Sequence, residues 1–122
     1  MFELKLAFDA VKRGVNHFVL SAYSGGKLAC ELQVRLIKGK AVLLPYPKAP
    51  FAAKSGFRGK GIGKALVAYA VGFARKLGAH QVVFANFDDE KLARRLSGPG
   101  HVVQYHEFSY PENPERYQIV WD

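Results

Sequence analysis

From Phe2 to Phe8, hydrophobic and polar residues alternate, which is the period of a half-buried β-strand. Asp9 to Asn16 interrupts the alternation and reads as a connection. His17 to Tyr23 is a second strand, and Ser24-Gly25-Gly26-Lys27 is a turn signal that pairs it with a third strand from Leu28 to Ile37. Lys38-Gly39-Lys40 is a second tight turn, after which Ala41 to Leu44 opens a fourth strand. Pro45, Pro47 and Pro50 stop it running on as a central strand, because proline has no N–H for the ladder. Phe51-Ala52-Ala53 then resumes an extended segment.

The period changes after that. Ile62, Ala65, Leu66, Tyr69, Ala70, Phe73 and Leu77 fall on one side of a 3.6-residue repeat and predict a long helix from Gly61 to Leu77. Arg75 and Lys76 suit its negative end, and Gly78 suits the position just past it. Gln81 to Ala85 is a short apolar run of the kind buried on both faces. Asp88 or Asp89 caps a second, shorter helix carrying Leu92, Ala93 and Leu96, which ends at Ser97-Gly98-Pro99-Gly100. His101 to Tyr110 and Tyr117 to Trp121 form a last hairpin. The order is four strands, helix, strand, helix, two strands. It predicts a single α/β domain over residues 1–122, built on a mixed sheet and without repeats or linkers.

The chain has 122 residues, 49% of them hydrophobic, enough for one core. Cys30 is the only cysteine, so it reads as a small buried hydrophobe, and neither a disulfide nor a metal site is expected. No signal-peptide pattern precedes the first strand, and no apolar run approaches the roughly 18 residues of a membrane span. A cytoplasmic protein without a membrane partner is expected. The net charge of +8 is unevenly placed: ten Lys or Arg stand between Glu31 and Asp88 with no acid among them. That excess suits either a solubilising surface or an acidic partner, including nucleic acid.

The helix start carries the chemistry. Glycines stand at 56, 59, 61 and 63 in Gly56-Phe57-Arg58-Gly59-Lys60-Gly61-Ile62-Gly63-Lys64. Glycine lets backbone approach a ligand closely, and a helix start offers unpaired N–H groups at the positive end of the macrodipole. Together they form an anion cradle suited to a phosphate or pyrophosphate. The Walker A pattern fails, because Arg58 stands where its first glycine is needed and Ala65 replaces its hydroxyl. The dinucleotide fingerprint fails too, since Gly59, Gly61 and Gly63 are spaced two by two. A glycine-rich turn would serve the same helix start without any ligand.

Arg58-x-x-Gly61-x-Gly63, with Phe57 before it and Ile62 inside it, resembles the acyl-CoA loop of the GNAT superfamily of N-acetyltransferases. The element order from about Leu28 to Trp121 resembles that family's core. The resemblance implies a splayed central sheet, with acetyl-CoA as co-substrate lying in the V between the strands that flank the long helix. It implies pyrophosphate contacts from Phe57, Arg58, Gly59, Lys60, Gly61, Ile62, Gly63 and Lys64, and a pantetheine arm beside Phe51, Ala52 and Ala53.

Two departures bear on function. Family members usually place two helices between their first two strands, and only Asp9 to Asn16 is available here. The short form implied is open on the acceptor side or covered by another subunit, as in a homodimer. The family's tyrosine at the end of the second helix is also missing: Ser97 follows Leu96. Tyr105 and Tyr110 are the substitute candidates for the proton donor. Glu31 is a candidate base, beside His80, His101, His106 and Glu107. The expected function is transfer of an acetyl group from acetyl-CoA to an amine of a macromolecule, a protein lysine or N-terminus. The alternatives are a non-catalytic CoA-binding or regulatory module, and an RNA- or tRNA-directed acetyltransferase.

Overall fold

The computed structural model describes residues 6–46, 61–106 and 115–122. The strands are β1 (Leu6–Gly14), β2 (His17–Ser24), β3 (Lys27–Ile37), β4 (Lys40–Pro45), β5 (Gln81–Phe87), β6 (His101–His106) and β7 (Glu115–Trp121). The helices are α1 (Ile62–Lys76), between β4 and β5, and α2 (Glu90–Ser97), between β5 and β6. Among the described residues, the seven strands form one sheet in the order β1-β2-β3-β4-β5-β7-β6. Among the described strands only β4 and β5 pair in parallel, as their connection through α1 requires.

The first strand is longer than the alternation indicates. Asp9 to Gly14 is strand rather than connection, and only Val15 and Asn16 separate β1 from β2. Apolar alternation fades there because β1 is an edge strand with most of its residues exposed, so its backbone pairing leaves little hydrophobic signature. The two helices absent from the sequence are therefore replaced by a hairpin. The other turns follow their glycines: Gly25 and Gly26 have φ of 59° and 80°, and Lys38 and Gly39 have φ of 49° and 79°, the left-handed pair a two-residue hairpin needs. The strands predicted over 2–5, 51–53 and 107–110 lie outside the described residues.

Register partners share a face of the sheet, and this separates its two sides. One face carries Leu20, Leu32, Val34, Leu43, Phe84 and Ile119, each fully buried. Both helices pack on it: Ile62, Leu66, Val67, Ala70 and Ala74 come from α1, and Ala93 and Leu96 from α2. An aromatic seam extends this contact to the sheet edge. Phe8 stacks on Tyr69 with ring centroids 4.8 Å apart, and Phe18 meets Phe73 edge-on at 5.2 Å. Cys30 lies in the same core, where burial pushes its thiol up to about 11, so it stays a neutral hydrophobe.

Asp89 caps α2, its carboxylate accepting from the N–H groups of Lys91 and Leu92 at 2.9 and 3.3 Å. The far end of α2 is clamped by Trp121, whose Nε1–H donates to the Ser97 carbonyl at 2.8 Å. Gly100 leaves room for that ring: a Cβ there would stand 2.7 Å from Trp121 Nε1 and 3.0 Å from the Ser97 carbonyl oxygen. Trp121 is only 4% exposed and cannot step aside. Gly100→Ala is expected to cost roughly 1–3 kcal/mol by overpacking, read as a lower urea midpoint at unchanged m-value.

Candidate active site

Topology brings the features of interest to one end of the sheet. Since α1 is the crossover between parallel strands, its N-terminus returns to the carboxyl ends of β4 and β5, where open α/β sheets place their ligand crevices. There the sheet splays. Pairing between β4 and β5 ends at Leu43 and Phe84, while β4 continues to Pro45 and β5 to Phe87. The β5–β7 register also shifts between Phe84 and Phe87, beyond the last residue of β5 that pairs with β4.

Gln33 holds the β4 side of this opening. Its amide donates to the Pro45 carbonyl at 3.2 Å, and its Oε1 accepts from His17 Nε2 at 2.8 Å. A side chain from β3 thus fixes the last residue of β4 just beyond its pairing with β5. Sequence reasoning missed this pair. Alternation puts Gln33 and His17 on the polar side of their strands, but only the register sets them near each other.

At the start of α1, Gly61 has φ 72° and ψ 12°, a left-handed residue, and a Cβ built on it meets nothing within 4 Å among the described residues. The first backbone bond of the helix runs from the Ala65 N–H to the Gly61 carbonyl at 3.0 Å. Among the described residues no side chain caps this end, and its first turn holds no acid. Among the described residues, the amides of Ile62, Gly63 and Lys64 thus have no side-chain partner at the positive pole of the helix, and the exposed Lys64 stands beside them. This arrangement fits a phosphate group. Phe51, Ala52, Ala53, Phe57, Arg58, Gly59 and Lys60 lie outside the described residues.

The proton-transfer candidates are spread out. Glu31 and Tyr105 both stand toward the splayed end, on the face opposite the helices, and both are partly buried. Glu31 is one strand outside β4, and Tyr105 is two strands outside β5. Four strand spacings, about 19 Å, separate them, so they bracket the opening and do not touch. Tyr110 and Glu107 lie outside the described residues. His80 sits at the other end of the sheet, its N–H bonded to the Gly39 carbonyl at 2.7 Å. His101 is exposed, with Nε2 3.9 Å from an Asp122 carboxylate oxygen. Ser97, in the place of the family tyrosine, spends its hydroxyl on the Arg94 carbonyl at 2.8 Å. Among the described residues, no group of three His, Cys, Asp or Glu is placed to hold a metal, and no helix is long and apolar enough to cross a membrane.

Comparison with known proteins agrees with this geometry. Residues 9–98 match the model of the Acetyltransferase (GNAT) family. Among solved structures, a Bacillus subtilis acetyltransferase in complex with CoA superimposes with a TM-score of 0.76 at 16% identity, over 97% of this chain and 99% of that one. The ribosomal-protein-S18-alanine N-acetyltransferase of Escherichia coli gives 0.69 at 10% identity, over 95% and 91%. Arabidopsis thaliana Naa50, in complex with the bisubstrate analogue CoA-Ac-MVNAL, gives 0.65 at 14% identity, over 85% and 72%. Curated protein sequences give no match.

Proposed function

Because the chain belongs to the GNAT acetyltransferase family, we propose that it transfers the acetyl group of acetyl-CoA to an amine presented by a macromolecule. The observation that carries this reading is the meeting of an uncapped, glycine-started helix with a splayed strand pair at one end of the sheet. Acetyl-CoA supplies a thioester whose acyl carbon an uncharged amine attacks, forming a C–N bond as the C–S bond breaks. The amides of Ile62, Gly63 and Lys64 hold the pyrophosphate, joined by Phe57, Arg58, Gly59 and Lys60 of the same loop. Phe51, Ala52 and Ala53 flank the pantetheine arm.

Glu31, on the β4 side, takes the proton from the amine through ordered water. Tyr105, on the β5 side, gives a proton to the departing sulfur, with Tyr110 the next choice. The amine adds to the thioester carbon and the thiolate leaves from the tetrahedral adduct, so the reaction calls for a base at the nitrogen and an acid at the sulfur.

A macromolecular acceptor is supported by the hairpin in place of the two missing helices, which leaves no described helix over the second face of the sheet. Two structural neighbours, by their descriptions a protein-alanine N-acetyltransferase and a protein bound to a CoA–peptide conjugate, agree with a protein amine. A non-catalytic CoA-binding module is the second reading, favoured by Ser97, whose hydroxyl is turned into its own helix.

One assay separates the two. Acetyl transfer is measured by mass spectrometry against lysine peptides, N-terminal peptides, polyamines and aminoacyl-tRNA, with CoA binding followed by calorimetry. Transfer to a peptide amine is the expected result. CoA binding without transfer to any acceptor supports the second reading, and no CoA binding overturns both.

A further inference from the structure

The two ends of the sheet carry unlike charge. Toward the end with the opening, acids gather among the described residues: Glu31, Asp88, Asp89, Glu90 and Glu115. The other end is built from the β1–β2 and β3–β4 turns, the last turn of α1 and the start of β5. Hydrogen bonds tie these connections together. The Leu36 N–H donates to the Asn16 carbonyl at 2.9 Å, and the His80 N–H to the Gly39 carbonyl at 2.7 Å. Lys12, Arg35, Lys38, Lys40 and Lys76 are exposed around this end, and none forms an ion pair among the described residues. The acid that stands there, Asp122, is already engaged: its carboxylate accepts from Gln81 at 2.9 Å and its carbonyl from Arg75 at 2.7 Å.

Register sets Arg35 and Lys40 on the face opposite the helices, and Lys12, level with Phe18, on the helix face. Side chains on the two faces of a sheet point away from each other. Cations placed this way suit a polyanion that curves around the end better than a flat bilayer. From Lys12 on β1 to Lys40 on β4 is three strand spacings, about 14 Å. One strand of a nucleic-acid duplex carries a phosphate for about every 3.4 Å of axis, so this width faces about four of them. The exposed large hydrophobics at this end, Val15, Ile37 and Leu77, are aliphatic. Among the described residues no exposed aromatic ring stands there for a base to stack on, which favours a duplex, with its bases turned inward, over a single strand.

We infer that this basic end binds the phosphate backbone of double-helical nucleic acid without reading its bases. Arg35, Lys38 and Lys40 form the centre of the contact, with Lys12 and Lys76 on its flanks. The opening between β4 and β5 lies at the far end of the same strands, so a bound duplex leaves it clear. The inference does not depend on acetyl transfer.

The test is fluorescence anisotropy with a short RNA duplex and a DNA duplex of the same sequence, across a range of salt. Both are expected to bind, within about threefold of each other, because the phosphates are common to them; log K should fall with log salt at a slope of about −4. Lys38→Asn with Lys40→Gln removes two central charges, and asparagine tolerates the left-handed φ of 49° at position 38. That variant is expected to bind about tenfold or more weakly at ~0.1 M salt, with the slope reduced by about two. Lys27→Gln with Lys91→Gln removes the same net charge from exposed positions toward the other end and is expected to leave affinity and slope unchanged. Circular dichroism checks that both variants are folded. Saturating CoA is expected not to displace the duplex. No duplex binding, binding of phosphatidylserine vesicles in place of the duplex, or a strong preference for one duplex would each overturn the inference. So would displacement by CoA, or an equal loss in the two double variants, which would reduce the effect to net charge alone.

Discussion

Gly61→Val is expected to weaken CoA binding by about 10²-fold or more while leaving the core folded. Gly61 has φ 72°, a conformation in which a β-branched residue is a strong outlier. Valine either holds that conformation at a cost of roughly 1–3 kcal/mol or moves the start of α1. In both cases the amides of Ile62, Gly63 and Lys64 lose their aim at the pyrophosphate, and each hydrogen bond to a charged group is worth about 1.5–3 kcal/mol. Since 1.4 kcal/mol is tenfold in affinity, the sum reaches the stated loss. Gly72→Ala is the control in the same helix. Its Cβ would meet nothing within 4 Å, so it is expected to stabilise α1 by about 0.5–1 kcal/mol and leave affinity unchanged. Calorimetry on both variants, with thermal melts, decides the matter. A folded Gly61→Val protein with wild-type affinity would remove the helix start from the site.

Tyr105→Phe is expected to slow acetyl transfer by about 10²-fold with little change in CoA affinity. Loss of the hydroxyl removes a proton donor and leaves the ring's packing in place. Phenols and thiols are acids of similar strength, so the proton transfer is close to balanced. Glu31→Gln is expected to slow transfer as well, and the loss should shrink as pH rises and more of the amine is already uncharged. Tyr105→Phe should show no such relief. Rates measured across pH for the two variants and for Tyr110→Phe separate the roles. Full activity in both tyrosine variants would mean that water protonates the sulfur.

Much of the fold was legible in the sequence because its signals are local. The 3.6-residue repeat of Ile62, Leu66, Tyr69 and Phe73 marked α1, Asp88-Asp89 marked the start of α2, and Gly25-Gly26 and Lys38-Gly39 marked two hairpins. Each depends on backbone propensity or on a face that one element buries by itself. The length of β1 was not legible, because an exposed edge strand is held by backbone hydrogen bonds to β2 and needs no apolar alternation.

The glycine spacing also marked the end of α1 at which the anion cradle is proposed, since a left-handed Gly61 at the helix start follows from local chemistry. Only the tertiary structure decided what lies around that cradle. Parallel pairing of β4 with β5, ended at Leu43 and Phe84, produces the opening. The register puts Gln33 within reach of the Pro45 carbonyl and sets Glu31 and Tyr105 on opposite sides of it. These relations join residues far apart in the chain. They depend on strand order and register, which a one-residue slip would invert while every local signal in the sequence stayed the same.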